Sequence, residues 1–362
     1  MTRLKELFRK IDYEFYLFAF LMLDLAILGG NGNNESNEDE VFCTSIKEAI
    51  ICFKPHMYPN GARYRRELVD FICEESNNVY GDADEFHNLI MDVFRTGDYF
   101  SGIKLCQYAL RTYPYNCDIL GDAIKAASDG GRFDLAEEFY SAASTMDRSI
   151  WNFRLFLYSV DYYQTRFKSN PKDRVAIERA IELAEDYMKY FPEDEHGYNQ
   201  RAECYILENK REEAIQFLWR WIFEPVNRDD PSSSLITAQC CTTLLQILDD
   251  SHEYNDIIKV AKRGIRNSKT VQLSSSVGYF AYRWALALDA QVADNEYENE
   301  RHILNALKRY QAAYDITGDM DFSNVIEQNY SLLRSFVVNT DSDPGPLIKH
   351  PMAEKAKESN ED

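Results

Sequence analysis

Residues that could carry catalytic or metal chemistry are scattered along the sequence. No two histidines form an HxxxH or HExxH pattern, which would place two imidazoles on one helix face around a metal ion. The six are His56, His87, His196, His252, His302 and His350. The cluster Asp194-Glu195-His196 is suggestive, but acidic residues are common at a helix start, where the helix dipole favours them. We therefore predict no metal site.

Other catalytic signatures are missing from the sequence as well. It contains no phosphate-binding loop, no GxGxxG pattern and no GxSxG nucleophile turn, which would cradle phosphates or expose a reactive serine. Its eight cysteines include no CxxC pair and mostly stand singly among apolar residues. Buried thiols of a reducing compartment have this distribution. We therefore expect a cytoplasmic protein that is not an enzyme and needs no cofactor.

The clearest pattern in the chain is a repeat over residues 83–150. Gly97-Asp98-Tyr99 and Gly131-Arg132-Phe133 share a glycine-x-aromatic order and lie 34 residues apart. Glycine adopts the left-handed backbone without steric cost, so it can end a helix. The same register matches five further pairs: Phe86 with Leu120, Ile90 with Ile124, Gly102 with Ala136, Cys106 with Tyr140, and Ala109 with Ala143. Each block therefore predicts a helix, a tight turn and a second helix.

This period, together with the small-x3-aromatic spacing of Ala136 and Tyr140, resembles the tetratricopeptide repeat (TPR). Pro114 ends the second helix of the first block, as the family pattern requires, whereas Arg148 stands in that place in the second block. Neither block has the tryptophan of the first helix, and Gly102 replaces the usual alanine. The resemblance implies an all-α fold, namely a right-handed α-solenoid of antiparallel helix pairs wound into a TPR-like superhelix. The alternative is a non-repetitive helical bundle.

Four more helix pairs are predicted after residue 150. In the third pair the small residue falls at Ala180, ten residues later than the period requires, so its helices should be longer. Asn170 and Pro171 suit the cap and first position of its second helix. The period recovers at Ala214. We predict that the repeats span 83–338 and close with a capping helix, Asp321–Val338, that covers the last apolar face.

The two ends of the chain differ from the repeats. Residues 1–80 are predicted to form N-terminal helices that pack on or cap the repeats, with a polar loop at 29–40. The apolar run 15–28 contains Asp24 and is shorter than the roughly 20 residues of a membrane helix. We favour a buried helix there; an anchor or signal and a partner-binding helix are the alternatives. Residues 341–362 are charged and poor in large apolar residues, so we predict disorder.

The charge balance indicates which partners the chain could bind. The formal net charge is −20 and the isoelectric point about 4.8, which disfavours nucleic acid, because phosphate binding needs clustered cations. Long-range steering would favour a basic protein or peptide, although an acidic surface also simply keeps a protein soluble. No membrane partner is expected, and the sequence leaves the oligomeric state open.

The resemblance also implies where a partner would bind. First helices of TPR pairs line a concave groove, here formed by 84–95, 118–128, 152–163 and 196–206. Asn and Gln could hydrogen-bond an extended peptide, and Arg95 and Lys125 could hold a carboxylate. The candidate groove residues, at positions that avoid the core, are His87, Met91, Arg95, Lys125, Asn152, Ser159, Tyr162, Asn199, Gln200 and Glu203. An ordinary solvated helix face is the alternative at each of them.

The sequence therefore predicts a non-enzymatic scaffold that binds a protein or peptide segment in a groove. The Lys/Asn/Asn/Lys/Arg set with which some TPR proteins hold a C-terminal carboxylate is not reproduced, so we do not expect that clamp. The alternative is a peptide-sensing regulator, in which ligand binding changes the superhelix pitch and thereby controls a partner. Direct DNA binding is disfavoured, because residues 1–80 contain no basic recognition helix.

Overall fold

The computed structural model describes residues 82–224, 231–249, 252–272, 274–294, 300–317, 323–337 and 341–348, together with residues 65, 66, 69, 70 and 73. These residues form thirteen α-helices and no strand, in an all-α repeat fold. The helices are α1 Ala83–Phe94, α2 Tyr99–Ala109, α3 Cys117–Asp129, α4 Phe133–Ser144, α5 Phe153–Ser169, α6 Arg174–Tyr190, α7 Glu195–Leu207, α8 Arg211–Phe223, α9 Pro231–Ile247, α10 Tyr254–Thr270, α11 Ser274–Asp294, α12 Glu300–Thr317 and α13 Ser323–Arg334.

The chain divides into two compact units, Met1–Tyr187 and Met188–Asp362. In the first unit α1 packs on α2 and α3 on α4, while the first helices α1, α3 and α5 lie side by side. In the second unit the pairs are α7–α8, α9–α10 and α11–α12, and α13 packs on α12. Each unit is therefore a stack of helix pairs, because short turns leave consecutive helices antiparallel.

The turns inside the pairs explain the glycine spacing. Gly97 and Gly131 have φ angles of 74° and 69°, in the left-handed region where a side chain costs strain. After Gly131 the Arg132 amide donates to the Ala127 carbonyl at 2.7 Å, which closes the end of α3. Asn209, with φ 58°, takes the same role between α7 and α8, since Asn tolerates this conformation better than most residues.

Small residues allow the first two pairs to pack closely. Gly102 and Ala136, at equivalent positions of α2 and α4, are both buried. A Cβ atom on Gly102 would overlap the ring of Phe94, so the glycine makes room for that aromatic. Tyr140 of α4 is 5% exposed and meets Trp151 and Tyr163 edge-on at ring-centroid distances of 6.2 and 5.0 Å. The register predicted for these blocks is confirmed.

The third pair is longer, as the displaced Ala180 predicted. Helices α5 and α6 have 17 residues each, compared with 13 and 12 in α3 and α4. The predicted start of α6 at Pro171 is wrong, because the helix begins at Arg174. The Asp173 carboxylate accepts from the Ala176 amide at 3.2 Å, while Asn170 accepts from Lys172 within the preceding turn.

The described residues of the second unit form two apolar clusters. One joins α7–α11 and contains Cys240 and Cys241, both fully buried. Burial raises the pKa of the Cys240 thiol to about 12, so this thiol stays protonated and unreactive. The other cluster joins α11, α12 and α13 around Tyr310 and Ile326. None of the described cysteines forms a disulfide.

Few residues of the predicted N-terminal helices are described. Arg66, in a helical turn, donates to Asp98 at 3.4 Å, and the Cys73 thiol donates to the Lys104 carbonyl with a donor–acceptor distance of 3.6 Å. Lys104 also bonds Asp70. These contacts place Arg66, Asp70 and Cys73 against α2 and the turn before it. The loop 29–40, the apolar run 15–28 and the other positions of 1–80 lie outside the described residues.

The disorder predicted for 341–362 does not apply to residues 341–348. Arg334 of α13 holds Asp343 through two hydrogen bonds of 2.8 and 2.9 Å. The predicted capping helix is also shorter than expected, since it ends at Arg334. The rest of the tail, 349–362, lies outside the described residues.

Candidate functional site

The first helices α1, α3 and α5 begin with the same device. Asp82, Asn116 and Asn152 each precede a helix and accept a hydrogen bond from the backbone amide three residues on, at 2.9, 3.0 and 3.0 Å. Such caps satisfy a backbone donor that the helix leaves unpaired. The caps recur at nearly the repeat period. Equivalent starts give the three helices matching registers, so polar residues of neighbouring helices meet at the same height.

Polar side chains of these three helices form two hydrogen-bonded groups, one around His87 and one around Lys125. We call the two groups together the first-helix face and define it by its charged and imidazole groups: His87, Asp118, Asp122, Lys125, Asp129, Arg154 and Asp161. Its members pair between neighbouring helices at sequence separations of 35 and 36 residues. The face is therefore a consequence of the repeat, because residues one period apart stand side by side.

His87 sits at the centre of the first-helix face. Its Nδ1 lies 2.6 Å from Oδ2 of Asp122, and its Nε2 lies 2.5 Å from Nη1 of Arg154. A guanidinium only donates hydrogen bonds, so Nε2 must accept and Nδ1 must carry the proton that is donated to Asp122. Nη1 of Arg154 also donates to Asp118 at 3.0 Å. Four side chains of three helices are thus fixed in one network.

Asp122 is fully buried beneath this network. Among the described residues its Oδ1 atom has no hydrogen-bond partner. Burial raises the pKa of the Asp122 carboxyl, although the hydrogen bond from His87 and the positive charge of Arg154 act in the opposite direction. A buried carboxylate costs free energy unless it is paired. The hydrogen bond from His87 supplies this pairing and holds the His87 side chain against the interior of the stack.

Lys125 has a different role from the one predicted. Its ammonium group donates to Asp161 at 2.6 Å and to Asp129 at 3.0 Å. Burial lowers the pKa of Lys125, but the hydrogen bonds and charges of Asp161 and Asp129 outweigh burial, so the pKa is raised overall. Because two carboxylates already neutralise this cation, Lys125 is not available to bind the carboxylate of a ligand.

Two of the predicted groove residues are buried. Ser159 and Tyr162 of α5 have no exposed surface, so their assignment to an open groove is wrong. The Tyr162 hydroxyl donates to Glu137 of α4 at 2.8 Å, because this side of α5 packs on the preceding pair. Glu137 also accepts from Tyr163 and Arg166. Asn152 caps α5, because its side chain accepts a hydrogen bond from the Leu155 amide of that helix.

The remaining predicted residues are spread over both units. Arg95 is exposed, with 73% of its side chain accessible, and pairs with Asp92 one turn earlier. Met91 is partly exposed on α1. Asn199, Gln200 and Glu203 are partly exposed on α7 of the second unit, where Asn199 accepts from Thr243 of α9 at 2.7 Å.

Sequence reasoning missed Arg154, Asp118, Asp122 and Asp161. A usable signal was present, because opposite charges separated by about one period recur: Asp118 with Arg154 and Lys125 with Asp161 are both 36 residues apart. In a stack of helix pairs such residues lie on neighbouring first helices. The search for off-core positions considered each helix alone and so could not find them.

The Asp194-Glu195-His196 cluster stands at the start of α7. One ligand atom from each residue lies within 4.8 Å of the others. Asp194 is the helix cap, since its Oδ1 accepts from the His196 amide at 2.9 Å and lies 2.9 Å from the His196 Nδ1 atom. The hydrogen bond to Asp194 raises the pKa of His196 above 6.5, although burial acts against it. These contacts account for the cluster as a capped helix start.

Among the described helices, none is both long and apolar enough to cross a membrane. The apolar run 15–28 is not among them.

Comparisons with known proteins add little to this description. Neither a family model nor a curated protein matches the sequence. One similar solved structure is described as a thermophilic TPR protein from Thermus thermophilus. It is 13% identical, with a TM-score of 0.40, over 57% of this chain and 98% of that chain.

Proposed function

We propose that this chain is a non-enzymatic scaffold of the TPR type that binds a basic protein or peptide segment on its first-helix face. The observation that carries the proposal is the set of paired polar side chains on α1, α3 and α5. Three of its carboxylates, of Asp118, Asp129 and Asp161, are partly exposed, and its two cations are Lys125 and Arg154. The excess of carboxylates favours a partner with lysine or arginine side chains.

The first-helix face is also ordered in advance of binding. Each of its charged groups already has a hydrogen-bond partner on its own or a neighbouring helix. Ordering side chains costs free energy during association, so a surface that is already ordered binds more tightly. The side chains of Asp118 and Asp161 are 33% and 29% exposed. They are accessible to a partner, yet partly shielded from water, which strengthens their electrostatic interactions.

Arg154 offers the complementary polar contact. Its hydrogen bonds to other described residues all involve Nη1, and the side chain is 23% exposed. Nε and Nη2 remain to donate to backbone carbonyls of a bound segment, in the fork geometry of a guanidinium. Arg154 therefore replaces Lys125 as the cation that we expect to contact the partner.

The test is affinity capture from a lysate of the source cells, quantified by mass spectrometry. The variant Asp118→Asn/Asp161→Asn removes two charges from the first-helix face. The control Glu138→Gln/Glu178→Gln removes two charges from exposed positions of the second helices α4 and α6. We expect a partner that wild type and control retain and that the face variant loses by about tenfold or more, as expected for partly desolvated charge pairs.

Equal retention by all three proteins would contradict the proposed face. Thermal melting of the variants excludes loss of the fold as the cause of lost binding. A captured partner without a basic segment would contradict the proposed chemistry, even if the face were correct.

A further inference from the structure

The segment of residues 341–348 lies on α12 and α13 and turns at Gly345, where φ is 78°. Its accessibility alternates along the chain, with Asp343, Gly345 and Leu347 partly buried and the residues between them exposed. Glycine adopts this left-handed backbone without steric cost. Pro344 and Pro346 flank the turn, and each proline ring fixes φ there. The inward residues therefore form a regular set: carboxylate, glycine, apolar side chain.

Two side chains of α12 and α13 hold the backbone of this segment. Gln311 of α12 uses both ends of its amide on Ile348: Oε1 accepts from the Ile348 amide at 2.9 Å, and Nε2 donates to the Ile348 carbonyl at 3.1 Å. The Tyr330 hydroxyl of α13 donates to the Gly345 carbonyl at 3.1 Å. Contacts to backbone groups do not depend on side-chain identity, so these residues can hold another chain with the same backbone conformation equally well.

The specific contacts are made by the first and last inward residues. Arg334 grips the Asp343 carboxylate with Nε and Nη2, in the paired geometry that only a planar guanidinium provides. The Asp343 carboxylate also accepts from the Gly345 amide at 2.9 Å. Leu347 packs against the apolar cluster of α11, α12 and α13. Together they specify a carboxylate four residues before an apolar side chain.

We propose that this surface of α12 and α13 is a binding site for a peptide of another protein with the pattern Asp-x-Gly-x-Leu, turned at its glycine. The chain's own C-terminal segment occupies the site as an intramolecular substitute and competes with that peptide. The site lies in the second unit, on helices that do not include the first-helix face. This proposal can therefore be tested independently of the proposed function.

The contacts of residues 341–348 with α12 and α13 are of a kind that another peptide can displace. The Arg334–Asp343 pair is partly exposed, with 29% and 21% of the two side chains accessible, so solvent weakens it. Ile348 is 71% exposed, and its contacts to Gln311 involve the backbone only. We take the segment to have an effective concentration of about 1 mM and, like a peptide of the same sequence, a dissociation constant of about 0.1 mM. It then weakens the binding of a competing peptide roughly tenfold.

The experiment uses the full chain and a fluorescein-labelled peptide with the sequence of residues 341–348, Asp-Ser-Asp-Pro-Gly-Pro-Leu-Ile. Binding is measured by fluorescence anisotropy. The release variant Asp343→Asn/Leu347→Ser alters two inward residues of the segment and leaves α12 and α13 unchanged. Its matched control, Asp341→Asn/Ile348→Ser, makes the same chemical changes at two outward positions. We expect the release variant to bind the peptide about tenfold more tightly than wild type, and the control to bind like wild type.

Adding Arg334→Gln to the release variant identifies the site. We expect this replacement to weaken peptide binding by about tenfold or more, because it removes the paired contact to the peptide carboxylate. A release variant that melts like wild type but binds the peptide no better would overturn the proposal and leave the segment as a structural cover. A wild-type dimer that Arg334→Gln dissociates would also overturn it, in favour of exchange between two copies.

A second measurement needs no variant. Hydrogen exchange of wild type, with and without excess unlabelled peptide, follows the Gly345 and Ile348 amides, which donate to Asp343 and Gln311. We expect faster exchange at both amides when the peptide displaces the segment, with no acceleration in α12 or α13. Unchanged exchange at saturating peptide would overturn the proposal.

Discussion

Asp194 shows how one carboxylate serves both backbone and side chain at the start of α7. It accepts from the His196 amide and also contacts the His196 ring. The contact raises the pKa of His196, so the stability that it contributes depends on pH. A raised folded-state pKa stabilises the protein fully below the unfolded-state pKa, and the stabilisation is lost as the pH rises through the folded-state pKa.

We predict that Asp194→Asn lowers the pKa of His196 and removes this pH-dependent stability. Asparagine still caps the helix, so the variant isolates the effect of the charge. The stability difference from wild type should be largest below the ordinary histidine pKa of 6.5 and disappear above the raised pKa. NMR titration of the His196 ring and melting at pH 5.5 and 8.5 measure the two effects.

Glu195→Gln provides the control for this prediction. Glu195 lies 3.9 Å from the His196 ring and contributes less to its pKa than Asp194 does, so its replacement should lower that pKa less. An unchanged His196 pKa in Asp194→Asn would show that the contact does not form in solution.

At the scale of helices, the packing of α4 against its neighbours depends on the size of one small residue and one large one. Ala136 is fully buried, and Tyr140 lies one turn later against Trp151 and Tyr163. Both follow from the repeat register, because the small residue sets how closely the helices approach and the aromatic fills the space beside it.

We predict that Ala136→Leu destabilises the chain by about 1–3 kcal/mol through overpacking. Tyr140→Ala should cost about 3–5 kcal/mol, because it leaves a cavity in place of a large buried ring. Urea denaturation measures both effects. Glu138→Ala, on the exposed side of α4, should change stability by less than about 0.5 kcal/mol. Near-zero effects at Ala136 and Tyr140 would contradict the helix register.

At the scale of the whole molecule, the chain carries 60 acidic and 40 basic residues. A charge of this size attracts a basic partner over distances set by the Debye length, about 10 Å at 0.1 M salt and 3 Å at 1 M. The same field repels nucleic acid. It affects how fast partners meet more than how long they remain bound.

We predict that the association rate with a captured basic partner falls by about tenfold or more between 0.05 and 0.5 M salt. The dissociation rate should change less. Stopped-flow mixing with wild type measures both rates. The control Glu138→Gln/Glu178→Gln should slow association slightly, whereas Asp118→Asn/Asp161→Asn should also speed dissociation. An association rate that is independent of salt would contradict electrostatic steering.

The sequence by itself determined the local features of this protein. Gly97 and Gly131 marked the turns because only a residue without a side chain adopts their backbone angles freely. The small residues at Gly102 and Ala136 marked the helix contacts, and the displaced Ala180 predicted the longer third pair. These features depend on neighbours within a few residues or on one repeated spacing, so they can be read without coordinates.

Only the tertiary structure decided which polar side chains are buried, paired or exposed. Tyr162 is buried and Lys125 is neutralised because of residues on other helices, Glu137 and Asp161. The contact of Asp343 with Arg334 likewise joins the predicted tail to a helix. Such pairings depend on how neighbouring helices are rotated and spaced, which side-chain packing over the whole stack sets. A helix considered alone shows its apolar side but not what covers the other.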